Sequence, residues 1–188
     1  RSVEIHDNGA LSRSFDELLP RLSVSYRLAT DRACNLYASI AKGYKAGGFN
    51  TQMFSDVLQQ EMMGTMGIGK LYEIDQVVGY KPEKSWNYEI GGHFKLAGGR
   101  LSIDASAFYI DCRDQQLTVF PEGTTTGRIM ANAGKTRSLG GELTVRATPV
   151  NRLLLTAAYG YTNARFVDFS NGINDYSNKR VPYAPENT

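Results

Sequence analysis

Long apolar runs are missing from these 188 residues. The longest stretch free of Asp, Glu, Lys and Arg is Leu153–Ala164, well short of the roughly 20 apolar residues that a membrane-crossing helix needs. This says nothing against a membrane β-strand, which needs only about 10 residues, half of them facing lipid. An excess of one charge is also missing: 21 Lys and Arg stand against 19 Asp and Glu, for a net charge of +2. The two signs are interspersed, so the basic stripe that a phosphate backbone requires is absent and nucleic acid is excluded as a partner. Cysteine is scarce. Cys34 reads as part of a tight turn and Cys112 as part of a distant strand, too far apart for the ~5.5 Å Cα separation of a disulfide, so two free thiols are expected. His6 and His93 have no metal-ligand spacing, and Gly98-Gly99 lacks the strand and helix context of a phosphate loop. No catalytic, metal or cofactor set emerges, and an enzyme is not expected. Arg1–His6 carries no apolar signal-peptide core.

Aromatic residues and glycine are what the chain does have, with 11 Tyr, 8 Phe, 1 Trp and 19 Gly. Tyrosine suits a boundary between apolar and aqueous media, where its ring and hydroxyl each find a partner. Segment after segment then alternates with a period of two. Leu22, Val24, Tyr26 and Leu28 alternate with Ser23, Ser25 and Arg27. Trp86, Tyr88, Ile90, Phe94 and Leu96 alternate with Asn87, Glu89, His93 and Lys95. Leu101 to Tyr109 and Leu139 to Ala147 repeat the pattern. A helix cannot hold such a set on one face, so these are strands. Asn35–Phe49 and Leu153–Phe169 are read as strands too, their pattern blurred by Gly43, Gly47, Gly48 and Gly160.

Connections alternate in length. Thr30–Ala33, Ala97–Arg100 and Thr148–Arg152 are short turns; 51–80, 121–131 and 170–182 are long and polar. Within the first long connection, Ser55–Met63 has the form of a short helix capped by Ser55, its methionines expected to pack on their own loop. Strands of about twelve residues or more joined this way describe an antiparallel up-and-down meander, part of a transmembrane β-barrel. About six strands and the start of a seventh are expected, with residues 1–18 a poorly defined loop or strand entry. The chain stops at Thr188 inside what reads as a new strand, so it is expected to be part of a longer protein.

Particular strings narrow the class. Leu36–Asn50 (LYASIAKGYKAGGFN), Tyr80–Gly91 (YKPEKSWNYEIG), Asp104–Gln116 (DASAFYIDCRDQQ), Asn132–Leu143 (NAGKTRSLGGEL) and Val181–Thr188 (VPYAPENT) resemble, in order and spacing, successive strands of the TonB-dependent outer-membrane receptors. Cys112 departs from the resemblance, standing where the family more often has an aromatic residue. The resemblance covers nearly the whole chain from Leu19. It implies 1–188 as part of the C-terminal half of a receptor barrel in the bacterial outer membrane, without the plug domain. It also implies TonB-energised uptake of an iron–siderophore, haem, cobalamin or glycan, with TonB engaged through the missing plug region.

Polar residues at the outer ends of strands are the candidates for ligand or lumen contact: Arg113, Gln115, Gln116, Arg128 and Arg165. Their ordinary alternative is hydrogen bonding within lumen or loops. Trp86, Tyr88 and Tyr109 are predicted to face lipid at the membrane boundary. Two rival functions remain: a barrel with a structural or adhesive role, and a soluble all-β binding domain.

Overall fold

A computed structural model describes residues 4–5, 11–28, 34–50, 79–119, 128–170 and 174–188. The expected helix 55–63 and the first short turn lie outside the described residues. Six strands form one antiparallel sheet: β3 (Arg21–Arg27), β4 (Cys34–Lys45), β7 (Glu83–Leu96), β8 (Leu101–Val119), β9 (Ile129–Ala147) and β10 (Leu155–Asp168). Their spatial order, β10-β9-β8-β7-β4-β3, follows chain order throughout. Two minimal ribbons accompany them, β1 (Glu4–Ile5) with β2 (Leu11–Ser12), and β5 (Gly48–Phe49) with β6 (Gly79–Tyr80).

The meander and its short turns stand as expected. Ala97–Gly99 is a single 3-10 turn in which Ala97, Gly98 and Gly99 all have positive φ, a conformation that glycine adopts without steric cost. At the next short turn, Thr148 donates its N–H to the Arg100 carbonyl at 2.8 Å, joining the two connections side by side.

Several boundaries differ from the sequence reading. Cys34 opens β4, paired in register with Phe94, so it is a strand residue. β8 and β9 each run for 19 residues, and Ile129–Ala131 belong to β9, not to a long connection. Asn35–Phe49 is not one strand: the ladder breaks at Ala46 and Gly47 before β5. A Cβ on Gly47 would stand 2.4 Å from the Tyr80 carbonyl oxygen, so the chain can pass this closely only with glycine.

Beyond β10 the chain doubles back sooner than residue 182. Phe166 accepts from Asn178 N–H and donates to the Lys179 carbonyl, Val181 donates to Ala164, and Gly160 and Thr188 exchange N–H···O bonds at 3.0 Å. Phe166, Phe169 and Tyr176 stack at the reversal, with centroids 4.9 and 5.5 Å apart. This is the opening of the seventh strand. The sheet is not closed, and β3 stands at its other edge.

Candidate functional site

Register and alternation divide the sheet into two surfaces. Because successive side chains point to opposite faces, every set of residues in register across the sheet belongs to one side. One such row is Ala38, Ile90, Ala107, Gly141 and Tyr161; the next is Ile40, Tyr88, Tyr109, Leu139 and Asn163. The large side chains of this face are open, with Ile90 64%, Leu22 65% and Leu139 56% exposed. A shallow apolar hollow, about 490 Å³, lies among Leu22, Ile40, Tyr88, Ile90, Tyr109 and Leu139 over the small Ala38 and Ala107. Burying a single Leu or Ile side chain is favourable by about 1.5–3 kcal/mol. A continuous open face of this kind therefore calls for an apolar medium against it.

The apolar band runs from the Leu96–Leu101–Ala147–Leu155 row to the Tyr88–Tyr109 row. That is about nine residues of β8, the length one tilted bilayer crossing takes. Trp86, Tyr88 and Tyr109 all lie on this outward face, and the two tyrosine rings are 6.2 Å apart. One row further, the surface changes abruptly. Lys42, Trp86, Asp111, Arg137 and Arg165 stand in register, and Tyr44, Lys84, Arg113, Lys135 and Asp168 form the row beyond.

The opposite face is polar and internally bonded. The Tyr37 hydroxyl donates to Glu89 at 2.6 Å, and its ring stacks on His93 at 5.4 Å. A Cβ on Gly91 would lie 2.6 Å from the Tyr37 ring, so glycine there allows the ring to cross β7 and reach Glu89. Asp104 holds both His93, at 2.8 Å, and Arg146, at 2.9 Å. His93 therefore has a structural partner on the inward face.

At the long-connection end, three carboxamides fasten the β5–β6 ribbon to the sheet. Gln116 Nε2 donates to the carbonyls of Ala46 (2.8 Å) and Lys81 (3.1 Å). Asn132 and Lys81 exchange two bonds, and Asn50 does the same with the backbone of Met130. The Glu83 carboxylate accepts from Gln116 N–H at 2.8 Å. Asn50, Glu83, Gln116 and Asn132 come from four different sequence strings, and the fold brings them to one place. No sequence signal pointed to Asn50, Glu83 or Asn132 as members of one cluster; only their presence in the recurring strings marked them.

The five candidate polar residues do not converge. Gln116 is buried within the carboxamide cluster. Gln115 Oε1 is shielded without a hydrogen-bond partner, and Arg128 is exposed ahead of β9. Lumen-facing placement is corrected for Arg113 and Arg165. Counting by twos from Tyr109 and Tyr161 puts both on the outward face above the apolar band. Arg165 is held there by Asn163 Oδ1 and the Asn178 carbonyl.

An open apolar band under a tyrosine row, backed by a bonded polar face on a short-turn, long-loop meander, defines one wall of an outer-membrane β-barrel. Residues 2–188 match the family model described as TonB dependent receptor-like, beta-barrel, and the chain belongs to that family of outer-membrane proteins. It is 29% identical over 175 residues to the pesticin receptor of Yersinia enterocolitica, covering 90% of this chain and 21% of that protein. Among solved structures, it resembles the ferric yersiniabactin uptake receptor FyuA of Yersinia pestis at 23% identity and a TM-score of 0.63, covering 94% of this chain and 23% of that one. It also resembles the ferripyoverdine receptor of Pseudomonas aeruginosa at 16% identity and a TM-score of 0.58, covering 95% of this chain and 20% of that one. The chain thus spans about a fifth of the length of the relatives it matches.

Proposed function

We propose that this chain is a wall segment of a receptor that takes up a ferric siderophore through the outer membrane with energy delivered by TonB. The observation that carries the reading is the division of one sheet into an open apolar face and a bonded polar face, within a family of receptors. The names of the relatives, an uptake receptor for ferric yersiniabactin and a receptor for ferripyoverdine, support a siderophore as the ligand class. Tyr88 and Tyr109 would form part of the boundary girdle and the polar face would line the lumen. A plug and the contact with TonB are assigned to other parts of a receptor several times longer than this chain.

The test is radioiron uptake from ferric yersiniabactin and from ferripyoverdine by the parent strain, a strain deleted for the gene, and a strain lacking TonB. Uptake of one of them that is lost in both mutants is the expected result. Undiminished uptake of both by the deletion strain overturns the ferric-siderophore reading.

A further inference from the structure

We propose that two short turns at the periplasmic end of the wall form a binding site for anionic phospholipid of the periplasmic leaflet, with Arg100 and Arg152 as its phosphate ligands. The inference rests on the membrane placement of this wall and is independent of what the receptor takes up. Residues 95–103 and 143–156 hold both turns and the strand ends they join. They carry Lys95, Arg100, Arg146 and Arg152, and neither Asp nor Glu. The next carboxylates along β8 and β9, Asp104 and Glu142, lie on the inward polar face. Asp104 is occupied there by His93 and Arg146. The long-connection end differs: Glu17 pairs with Lys42 and Lys84, Asp111 pairs with Lys135, and Asp168 stands in register with Lys135. A near-neutral chain thus has one end of a single sign.

The two turns make one surface, because the bond from Thr148 N–H to the Arg100 carbonyl sets them side by side. Arg100 and Arg152 are both exposed, and among the described residues no carboxylate pairs with either. Arg100 precedes β8 and Arg152 precedes β10, with β9 between them. Their backbones therefore stand roughly 10 Å apart, two strand spacings, a gap that two long side chains can close on one headgroup. Arg152 also holds a φ of 70°, a conformation that favours glycine and costs a residue with a side chain. An arginine at such a position points to a use for its guanidinium.

Position selects the occupant. The apolar band ends at the row of Leu96, Leu101, Ala147 and Leu155. Val150 and Leu153, both exposed, carry apolar surface past that row on the same connection as Arg152. Short turns of such a meander face the periplasm, so this mixed surface stands at the headgroup depth of the periplasmic leaflet. Arginine works at that depth by laying its apolar stem along neighbouring leucines while its planar fork takes phosphate oxygens two at a time. Among the described residues, the two outward rows nearest this end hold neither Tyr nor Trp. Arginine, the other common interfacial anchor, takes their place. A lipid answers both the charge and the apolar surface, whereas an acidic soluble partner would answer only the charge.

The experiment uses the intact receptor purified in a neutral detergent and titrated with phosphatidylglycerol or with phosphatidylethanolamine of identical acyl chains, while bound lipid is read by native mass spectrometry. Arg100→Gln with Arg152→Gln is compared with a control of equal charge change at the long-connection end, Lys179→Gln with Arg180→Gln. The parent should bind phosphatidylglycerol more tightly than phosphatidylethanolamine. Removing the two ligands is expected to weaken phosphatidylglycerol binding by about tenfold, as loss of two interfacial arginines does. The control variant should bind as the parent does. Equal phosphatidylglycerol binding by the parent and the Arg100/Arg152 variant overturns the site. Phosphatidylethanolamine bound by the parent as tightly as phosphatidylglycerol overturns the anionic headgroup, and that comparison needs no variant to fold. Neither readout depends on uptake, so failure of the siderophore assignment would leave this result unaffected.

Discussion

Asn132 and Lys81, 51 positions apart in sequence, exchange two hydrogen bonds: Lys81 N–H donates to Asn132 Oδ1 at 2.7 Å, and Asn132 Nδ2 donates to the Lys81 carbonyl at 2.9 Å. A side-chain amide here does what a backbone amide does in a ladder. The same Nδ2 also donates to the Asp114 carbonyl, where β8 carries a residue with positive φ and the ladder to β9 misses a rung. Asn132→Leu would keep the volume and remove every one of these bonds. It should cost about 1–3 kcal/mol, the range for leaving a shielded polar group unmade. Denaturant unfolding of the intact barrel measures it, with faster amide exchange around Lys81 as the local sign.

Gly91→Val should push the Tyr37 ring off β7 and break its bond to Glu89, since the new Cβ would stand 2.6 Å from the ring. A cost of about 1–3 kcal/mol is expected from such overpacking. Combining it with Tyr37→Ser removes the clash, so the double variant should be more stable than the sum of the two losses predicts. Strict additivity in a thermal or denaturant cycle would show that the two residues do not meet.

The two faces should respond oppositely to charge. Ile90→Arg places a guanidinium in the middle of the open apolar band and should destabilise the folded barrel in lipid by about 2–4 kcal/mol. Ser23→Arg, on the inward face, should cost far less. Folding yield into phospholipid vesicles across a urea series reads both, and equal losses would contradict the assignment of faces.

Acid should loosen the segment that precedes β3. The Glu17 carboxyl is held below its ordinary 4.5, first by its hydrogen bond with Lys42 and then by that with Lys84. A carboxylate with a depressed folded-state pKa stabilises fully above its unfolded pKa, and that contribution is lost as pH falls through the folded value. Protection of residues 11–20 against amide exchange or proteolysis should therefore hold above about pH 5 and fall away below pH 4.5. In Glu17→Gln this acid step should vanish.

Cys112 should resist thiol reagents while the barrel is folded. The side chain is buried, and a maleimide needs both access to the sulfur and a thiolate to react with. Maleimide at pH 7.5 should modify it on unfolding and not before, a difference that peptide mass mapping detects.

The period-two pattern made the membrane-facing strands legible because one side of each had to satisfy lipid. Ile90 and Leu22 could be placed from sequence for that reason alone. The extensions of β8 past Tyr109 and of β9 before Leu139 were legible from the recurring strings and from the bounds of the long connection, not from alternation; only Ile129–Ala131 was missed. There the outward face becomes Asp111, Arg113, Lys135 and Arg137, so the apolar alternation stops although the ladder continues. The orientation of Arg113 and Arg165 could have been found by continuing the count from Tyr109 and Tyr161. What no local pattern encodes is the carboxamide cluster. Gln116 reaches Ala46 across 70 positions and Asn50 reaches Met130 across 80, and such pairings depend on how four separate strings are brought together.

The regular register that β3 to β10 keep across the apolar band also governs how a wall of this kind can change over generations. One residue inserted between Leu101 and Tyr109 would turn every side chain beyond it, setting serines toward lipid and alanines toward the lumen. At the short-turn end, connections such as Ala97–Gly99 leave little room to absorb an extra residue. Length can be gained freely only at the far end, in the connections that follow β4, β8 and β10. The barrel is therefore a structure with one direction of growth, and new recognition surfaces can be added outside the cell while the crossing beneath them stays fixed.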